Sequence, residues 1–316
     1  MRTTVKLVQI CLAILPALAN AQFTFTTNSD GSLNIYQYTG SGGAVTIPDA
    51  TNGLPITSIG TNAFENAALS SVTIPDSITS IGDWAFYGTG LVGLIIPDSV
   101  TTIGQNAFGN CQNLTSVIIG TNVTDLPPGV FVQCYSLTNI TIPNSVTNIG
   151  DYAFSQCMAL PSVIIPNSVI NIGNDAFNDC GNLTSVTIGN SVTSIGTNAF
   201  TFCVNLLSVT IPASVTNIEY NAFLADVNLV SVCFLGNAPS ADSTVFSSAG
   251  FFSQTIVYYL PNTAGWYSPF GGVFRHFYGI PQFKLRTPPL ASKAINSVST
   301  SLEQPIWPSQ SRVAQT

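Results

Sequence analysis

Apolar residues in this chain follow neither a long helical stripe nor a simple alternation. They return in register every 22 or 23 positions. One unit runs from Leu137 to Ala159. Leu137, Ile140 and Ile142 form an L-x-x-I-x-I pattern that predicts a short strand with Ile140 and Ile142 on one face. Pro143-Asn144-Ser145 stops it, because proline cannot donate to a ladder and Asn and Ser favour turns. Val146 and Ile149 re-enter the core before Gly150 allows a second bend. A short helical turn is then predicted to carry Ala153 and Phe154. Its N-cap slot holds Asn62, Asn106, Asp175, Asn198 and Asn221 in other units, but Trp84 and Tyr152 in two of them.

Phenylalanine keeps the register at Phe64, Phe86, Phe108, Phe131, Phe154, Phe177, Phe200, Phe223 and Phe246, spaced 22, 22 and then 23 residues apart. No single unit can bury its own apolar positions, whereas stacked units can. About eight to nine repeats are expected to stack into a parallel strand ladder, with roughly 4.8 Å between coils and the phenylalanines as spine.

These residues carry a resemblance. The pattern L-x-x-V-x-I-P-x-S-V-T-x-I-G-x-x-A-F-x-x-C resembles the BspA-like, or Treponema-type, leucine-rich repeat over roughly residues 45–248. Tyr38–Pro48 looks like that family's entry into a first repeat, and Tyr258–Gly272 like its closing segment. The resemblance implies a leucine-rich-repeat solenoid, a right-handed α/β or β-rich superhelix with one strand and one helical turn per repeat. It also implies export or surface display, and adhesion or protein binding, without catalytic residues.

Charge narrows the function. The chain has 14 acidic and 7 basic residues, and between Leu7 and Phe274 there is no Lys, Arg or His. All the acidic residues but Glu303 fall in that stretch. A nucleic-acid partner is disfavoured because nothing neutralises phosphate, and phosphoryl transfer lacks its cationic clamp. A histidine-based triad or zinc site is excluded from the body, since the one histidine is His276. Arg2 and Lys6 precede an apolar run from Leu7 to Ala19 and the small-x-small pattern Ala19-Asn20-Ala21, which read as a secretory signal cleaved near Gln22. No apolar run reaches the 18 residues of a membrane span.

The candidate sites follow the period. Ser71, Thr73, Asn139, Thr141, Ser185, Thr187, Ser208 and Thr210 place polar groups on the outward strand face, interrupted by Ile95, Ile118 and Ile164. This broad uncharged face suits an extended protein or glycan ligand. The competing reading is strand propensity alone; ice binding is a remote third. Cys111, Cys134, Cys157, Cys180 and Cys203 form one column, read as buried and apolar. Inter-coil disulfides and a metal site are its alternatives. Ala67, Thr89 and Asp226 fill that slot elsewhere, and Cys233 is expected to face outward as a lone thiol. Asp76 and Asp98, in the turn column with Asn144, Asn167 and Asn190, suit Asx turns better than calcium or paired-carboxylate hydrolysis. Gly40–Gly43 is a turn rather than a phosphate loop. Asn113, Asn122, Asn139 and Asn182 head glycosylation sequons that matter only in a glycosylating host.

The expected organisation is a signal peptide at 1–21, an N-terminal cap at 22–45 with a hairpin at Asn28–Gly31, and leucine-rich repeats at 46–248. An aromatic C-terminal cap follows at 249–283, then a disordered basic tail at 284–316. The reading is a secreted or cell-surface, monomeric, non-enzymatic scaffold. It binds an extracellular protein or glycan, without cofactor or metal. The alternatives are a purely structural envelope protein and, remotely, a glycan-active enzyme.

Overall fold

A computed structural model describes residues 22–250, 255–267 and 270–272, together with the backbone of a strand at His276–Tyr278. These belong to the first of two units, Met1–Ile280; the second, Pro281–Thr316, lies outside the described residues. So do the expected signal peptide and tail.

The first unit is a β solenoid of about ten coils. Each full coil contributes two parallel strands rather than one. The front strands are Gly43–Thr46, Leu69–Thr73, Gly93–Ile95, Ser116–Ile118, Asn139–Thr141, Ser162–Ile164, Ser185–Thr187, Ser208–Ile211, Ser231–Phe234, Ile256–Tyr259 and His276–Tyr278. The second ladder runs through Leu54–Ile59, Ser80–Ile81, Thr102–Ile103, Asp125–Leu126, Asn148–Ile149, Asn171–Ile172, Ser194–Ile195 and Asn217–Ile218. The Val-x-x-Ile segment expected only to re-enter the core thus forms a ladder of its own, because Ser194 and Ile195, for example, pair with Asn217 and Ile218 one coil on.

The expected helical turn is absent: there is no helix among the described residues. Hydrogen bonding supplies the reason. In the segment around Phe154, the amides of Tyr152, Phe154 and Gln156 donate to carbonyls of Asn174, Ala176 and Asn178 in the next coil, at 2.8, 2.8 and 2.7 Å. Only the alternate amides of Ala153, Ser155 and Cys157 close local turns. A helix would turn every amide inward along its own segment; here half of them tie coil to coil. That alternation requires left-handed residues. The supposed N-caps Asn62, Asn106, Asp175, Asn198 and Asn221 have φ of 58°, 53°, 53°, 55° and 59°. Asn and Asp are there because they tolerate this region, not because they cap. Trp84 and Tyr152 adopt the same φ, 58°, at about 1–2 kcal/mol each.

Rings stack along the interior. Tyr38 lies 5.1 Å from Phe64, and the nine phenylalanines continue at centroid separations of 4.7–5.7 Å, all within 19° of parallel. All nine are buried. At the N-terminal end, Phe23–Thr27 and Leu33–Tyr38 form an antiparallel hairpin whose second strand pairs with Leu54–Ile59. At the other end Tyr259 stacks on Trp266 at 4.6 Å, with Phe234 and Phe270 each 5.0 Å from the indole. Phe251 and Phe252 lie outside the described residues.

Prolines mark two of the three breaks in the described ladders; the third, between Leu69–Thr73 and Gly93–Ile95, has none. Front strands Asn139–Thr141 and Ser162–Ile164 fall in separate sheets. Thr115, Thr138 and Thr184 each donate an amide hydrogen to the preceding coil at the position of Pro161, which has none to give. The second ladder parts between Ile103 and Asp125, where Pro127 occupies the slot from which Gly104 and Gly150 donate.

Candidate ligand-binding face

Front strands alternate burial and exposure: Val163, Val186 and Val209 point into the core, and their neighbours on either side are exposed. Parallel register aligns the outward residues in two columns. Ser162, Ser185, Ser208 and Ser231 stand one above another, and Ile118 pairs with Thr141, Ile164 with Thr187, Thr210 with Cys233. Ser71, Thr73, Asn139, Thr141, Ser185, Thr187, Ser208 and Thr210 are all exposed. No side-chain hydrogen bond ties any of them to another described residue, in contrast to the other threonine columns. Thr115, Thr138 and Thr184 donate their hydroxyls to preceding-coil carbonyls at 2.9, 3.1 and 3.0 Å. Thr79, Thr101, Thr147, Thr193 and Thr216 do the same at 3.1–3.3 Å. Those hydroxyls brace the solenoid. The strand-face groups remain open to solvent.

The isoleucines that interrupt the face are its most exposed apolar residues: Ile95, Ile118 and Ile164 are 64%, 58% and 70% exposed. They wall two grooves where the strands meet the turns. One, of about 670 Å³, is lined by Ile95, Ile118, Pro97, Asp76, Asp98 and Thr121 among others. The other, about 520 Å³, lies where Pro161 parts the ladder and is lined by Thr141, Ile164, Asn144, Asn167 and Thr187 among others. Gly120 in the first groove and Gly189 in the second take the slot that proline fills in neighbouring coils, and a Cβ at either would collide with the preceding coil's proline carbonyl oxygen.

The turn column does not act through Asx turns of its own coil. Asp98 Oδ1 accepts the Thr121 amide at 2.6 Å and the Thr121 hydroxyl at 3.0 Å, one coil on, and these bonds hold its carboxyl below the usual carboxylate range. Asn167 Oδ1 accepts the Asn190 amide in the same way at 2.8 Å. Asp76 and Asp98, neighbours in the turn column as their spacing predicts, both line the first groove. Among the described residues no three His, Cys, Asp or Glu side chains cluster to hold a metal ion.

Cys111, Cys134, Cys157, Cys180 and Cys203 are fully buried and unbridged. Each thiol donates to a phenylalanine carbonyl of the preceding coil: Phe86, Phe108, Phe131, Phe154 and Phe177, at 3.2–3.4 Å. Burial pushes their thiols upward, Cys111 to about 11 and Cys180 to about 12. Cys233 is half-buried in its front strand. Asp226 takes the next slot, fully buried, and neither carboxylate oxygen has a hydrogen-bond partner. Burial raises its carboxyl well above the normal range; the nearby Cys203 amide opposes this only weakly, being committed to the Phe200 carbonyl at 3.2 Å.

Registered strands, a stacked aromatic spine and a periodic outward face define a β solenoid of leucine-rich repeat type. The sequence matches the family described as the BspA type leucine rich repeat region, in six copies over residues 34–160 and 124–253, and the chain belongs to that family. No curated protein matches it. Among solved structures, a leucine-rich repeat protein of T. pallidum is 28% identical, covering 66% of this chain and 89% of that one, with a TM-score of 0.48. A leucine-rich cell surface protein from Faecalibacterium prausnitzii is 23% identical, covering 83% of this chain and 94% of that one, with a TM-score of 0.37. No helix among the described residues is long and apolar enough to cross a membrane.

Proposed function

We propose that this chain is an exported or cell-surface repeat scaffold whose front strand face binds an extracellular protein or glycan, in the manner of an adhesion module. It acts as a monomer and without catalysis, cofactor or metal. The hairpin Phe23–Tyr38, within the N-terminal cap at 22–45, and the aromatic residues Tyr259, Trp266 and Phe270, within the cap read at 249–283, close the ends of the stack. The observation that carries the reading is the division of labour among hydroxyls. Two threonine columns away from the face, those of Thr115 and of Thr147, spend theirs on neighbouring coils. Ser71, Thr73, Asn139, Thr141, Ser185, Thr187, Ser208 and Thr210 are exposed and make no side-chain bond to the described protein. Repetition turns weak individual contacts into useful affinity.

Immobilised protein passed over matrix, host-surface and envelope extracts tests this. A retained ligand should be lost when Thr141, Thr187 and Thr210 are changed to Lys, while Thr147→Lys, off the face, keeps it. Retention indifferent to the three face substitutions would remove the face from the function. Incorporation into surface layers without any saturable ligand would instead mark a structural envelope protein.

A further inference from the structure

The two grooves are built alike and differ in charge. Each lies between two neighbouring front strands and the turns that follow them, with an exposed isoleucine in its wall. At equivalent positions in the turn column the first groove has Asp76 and Asp98, the second Asn144 and Asn167. The fold does not need the aspartates, since Asn167 receives the next coil's amide just as Asp98 does. In the first groove Ile118 pairs in register with Ile95, so two exposed aliphatic side chains lie side by side next to the carboxylates. No Lys, Arg or His occurs anywhere from Leu7 to Phe274 to neutralise them.

We propose that the groove between Ile95 and Ile118 docks a cationic polypeptide segment, one in which Lys or Arg neighbours an aliphatic residue; this rests on the reading of the strand face as a binding surface. The aliphatic stem of Lys or Arg lies along the isoleucines while its head group meets Asp76 and Asp98. A neutral ligand covering the same isoleucines would desolvate the carboxylates without pairing them. The Thr121 hydrogen bonds keep Asp98 anionic, and the uniformly acidic body draws cations from a distance. The second groove, polar but uncharged, offers this partner no such pairing.

Fluorescence anisotropy with a short labelled peptide of alternating Lys and Leu, its acetyl-lysine counterpart and its Glu-Leu counterpart tests the assignment. The lysine peptide should bind, and bind more weakly as salt rises from about 50 to about 300 mM. The other two should bind at least about tenfold more weakly. Asp98→Asn and Ile118→Thr place residues native to the same columns elsewhere, so both variants should fold, and each should weaken binding by about threefold or more. Asp179→Asn, on the turns, should change nothing. Equal binding of the acetylated peptide, equal weakening by Asp179→Asn and Asp98→Asn, or no binding would each overturn the proposal. If the peptide fails while an extract ligand is still lost on changing Thr141, Thr187 and Thr210, only this inference falls. If that ligand too ignores the face, the broader reading falls with it.

Discussion

Replacing Asp226 by cysteine continues the column that ends at Cys203, and the structure dictates how stability should respond. In five preceding coils the slot holds a thiol that donates to the phenylalanine carbonyl one coil back. Asp226 is fully buried with both oxygens unpartnered, facing a slot of Cys203 on one side and Ala249 on the other. Burial drives its carboxyl well above the usual range, so the folded protein keeps it neutral where the unfolded chain ionises it. Above the unfolded carboxyl's range, near pH 4, the folded state therefore holds one more proton than the unfolded. Asp226's contribution is fully present below that pH. It is lost as pH rises toward the folded value, at up to about 1.4 kcal/mol per pH unit.

The thiol of Asp226→Cys stays neutral in both states across that window and restores a donor. Relieving a buried unsatisfied group is worth about 1–3 kcal/mol, which for a unit of this size moves Tm by about 2–4 °C per kcal/mol. Urea melts of both proteins at half-unit steps from pH 3.5 to 7.5 provide the assay. Titrations shared by the two, such as those of Asp98 and Asp175, cancel in the difference. The variant's advantage should be smallest near pH 4 and grow toward neutrality. An advantage independent of pH, or a variant no more stable than wild type at pH 7, would refute the assignment of a buried neutral acid.

Phe154→Ala removes a buried ring stacked 5.6 and 5.1 Å from its neighbours and should cost about 3–5 kcal/mol in a denaturant melt; a wild-type midpoint would contradict the spine. Thiol titration of the denatured chain from Gln22 onward should find six groups, one for each unbridged cysteine, and fewer would reveal a disulfide. In the native protein Cys233 should alkylate first, because burial suppresses the thiolate far more strongly in the column. Pro161→Thr restores an amide at the break in the front sheet. The new bond, about 0.5–1.5 kcal/mol, is offset by lost proline rigidity, about 0.4–1 kcal/mol. Hydrogen exchange is therefore the readout, and unslowed exchange across 162–164 would show that the proline is not what parts the sheets.

The stacking of coils was legible because it rests on translation along the chain. A 22- or 23-residue return of Phe, Ile and Leu leaves few ways to bury them other than in register, and the family follows from the same residues. What the period did not reveal was conformation within the coil. Asn62 and Asn106 look like N-caps because Asn suits both an N-cap and a left-handed turn, for different reasons. The distinguishing clue was present at Trp84 and Tyr152: neither caps a helix, yet both occupy the slot, so what the slot selects is backbone shape. The second ladder was missed for a related reason. Two-residue strands such as Asn148–Ile149 are too short to show alternation and exist only through their pairing with the next coil.

The binding face was harder to read because composition there is degenerate. Thr138 and Thr141 stand three residues apart, both on the surface, yet the first donates to Thr115 and the second to nothing in the described protein. No propensity separates them; only the distance to a neighbouring carbonyl does, and that depends on the coil beneath. Asp76 and Asp98 pose the same difficulty. As turn residues they are interchangeable with Asn144 and Asn167, and the fold accepts either. Once the coils are stacked, the interchange is no longer neutral, because it determines which of two similar grooves carries charge beside exposed isoleucine. A solenoid that repeats one backbone solution can express specificity only through such substitutions. The positions where the repeat tolerates a different residue without structural cause are therefore where its function should be sought, and Asp98 and Ile118 head that set.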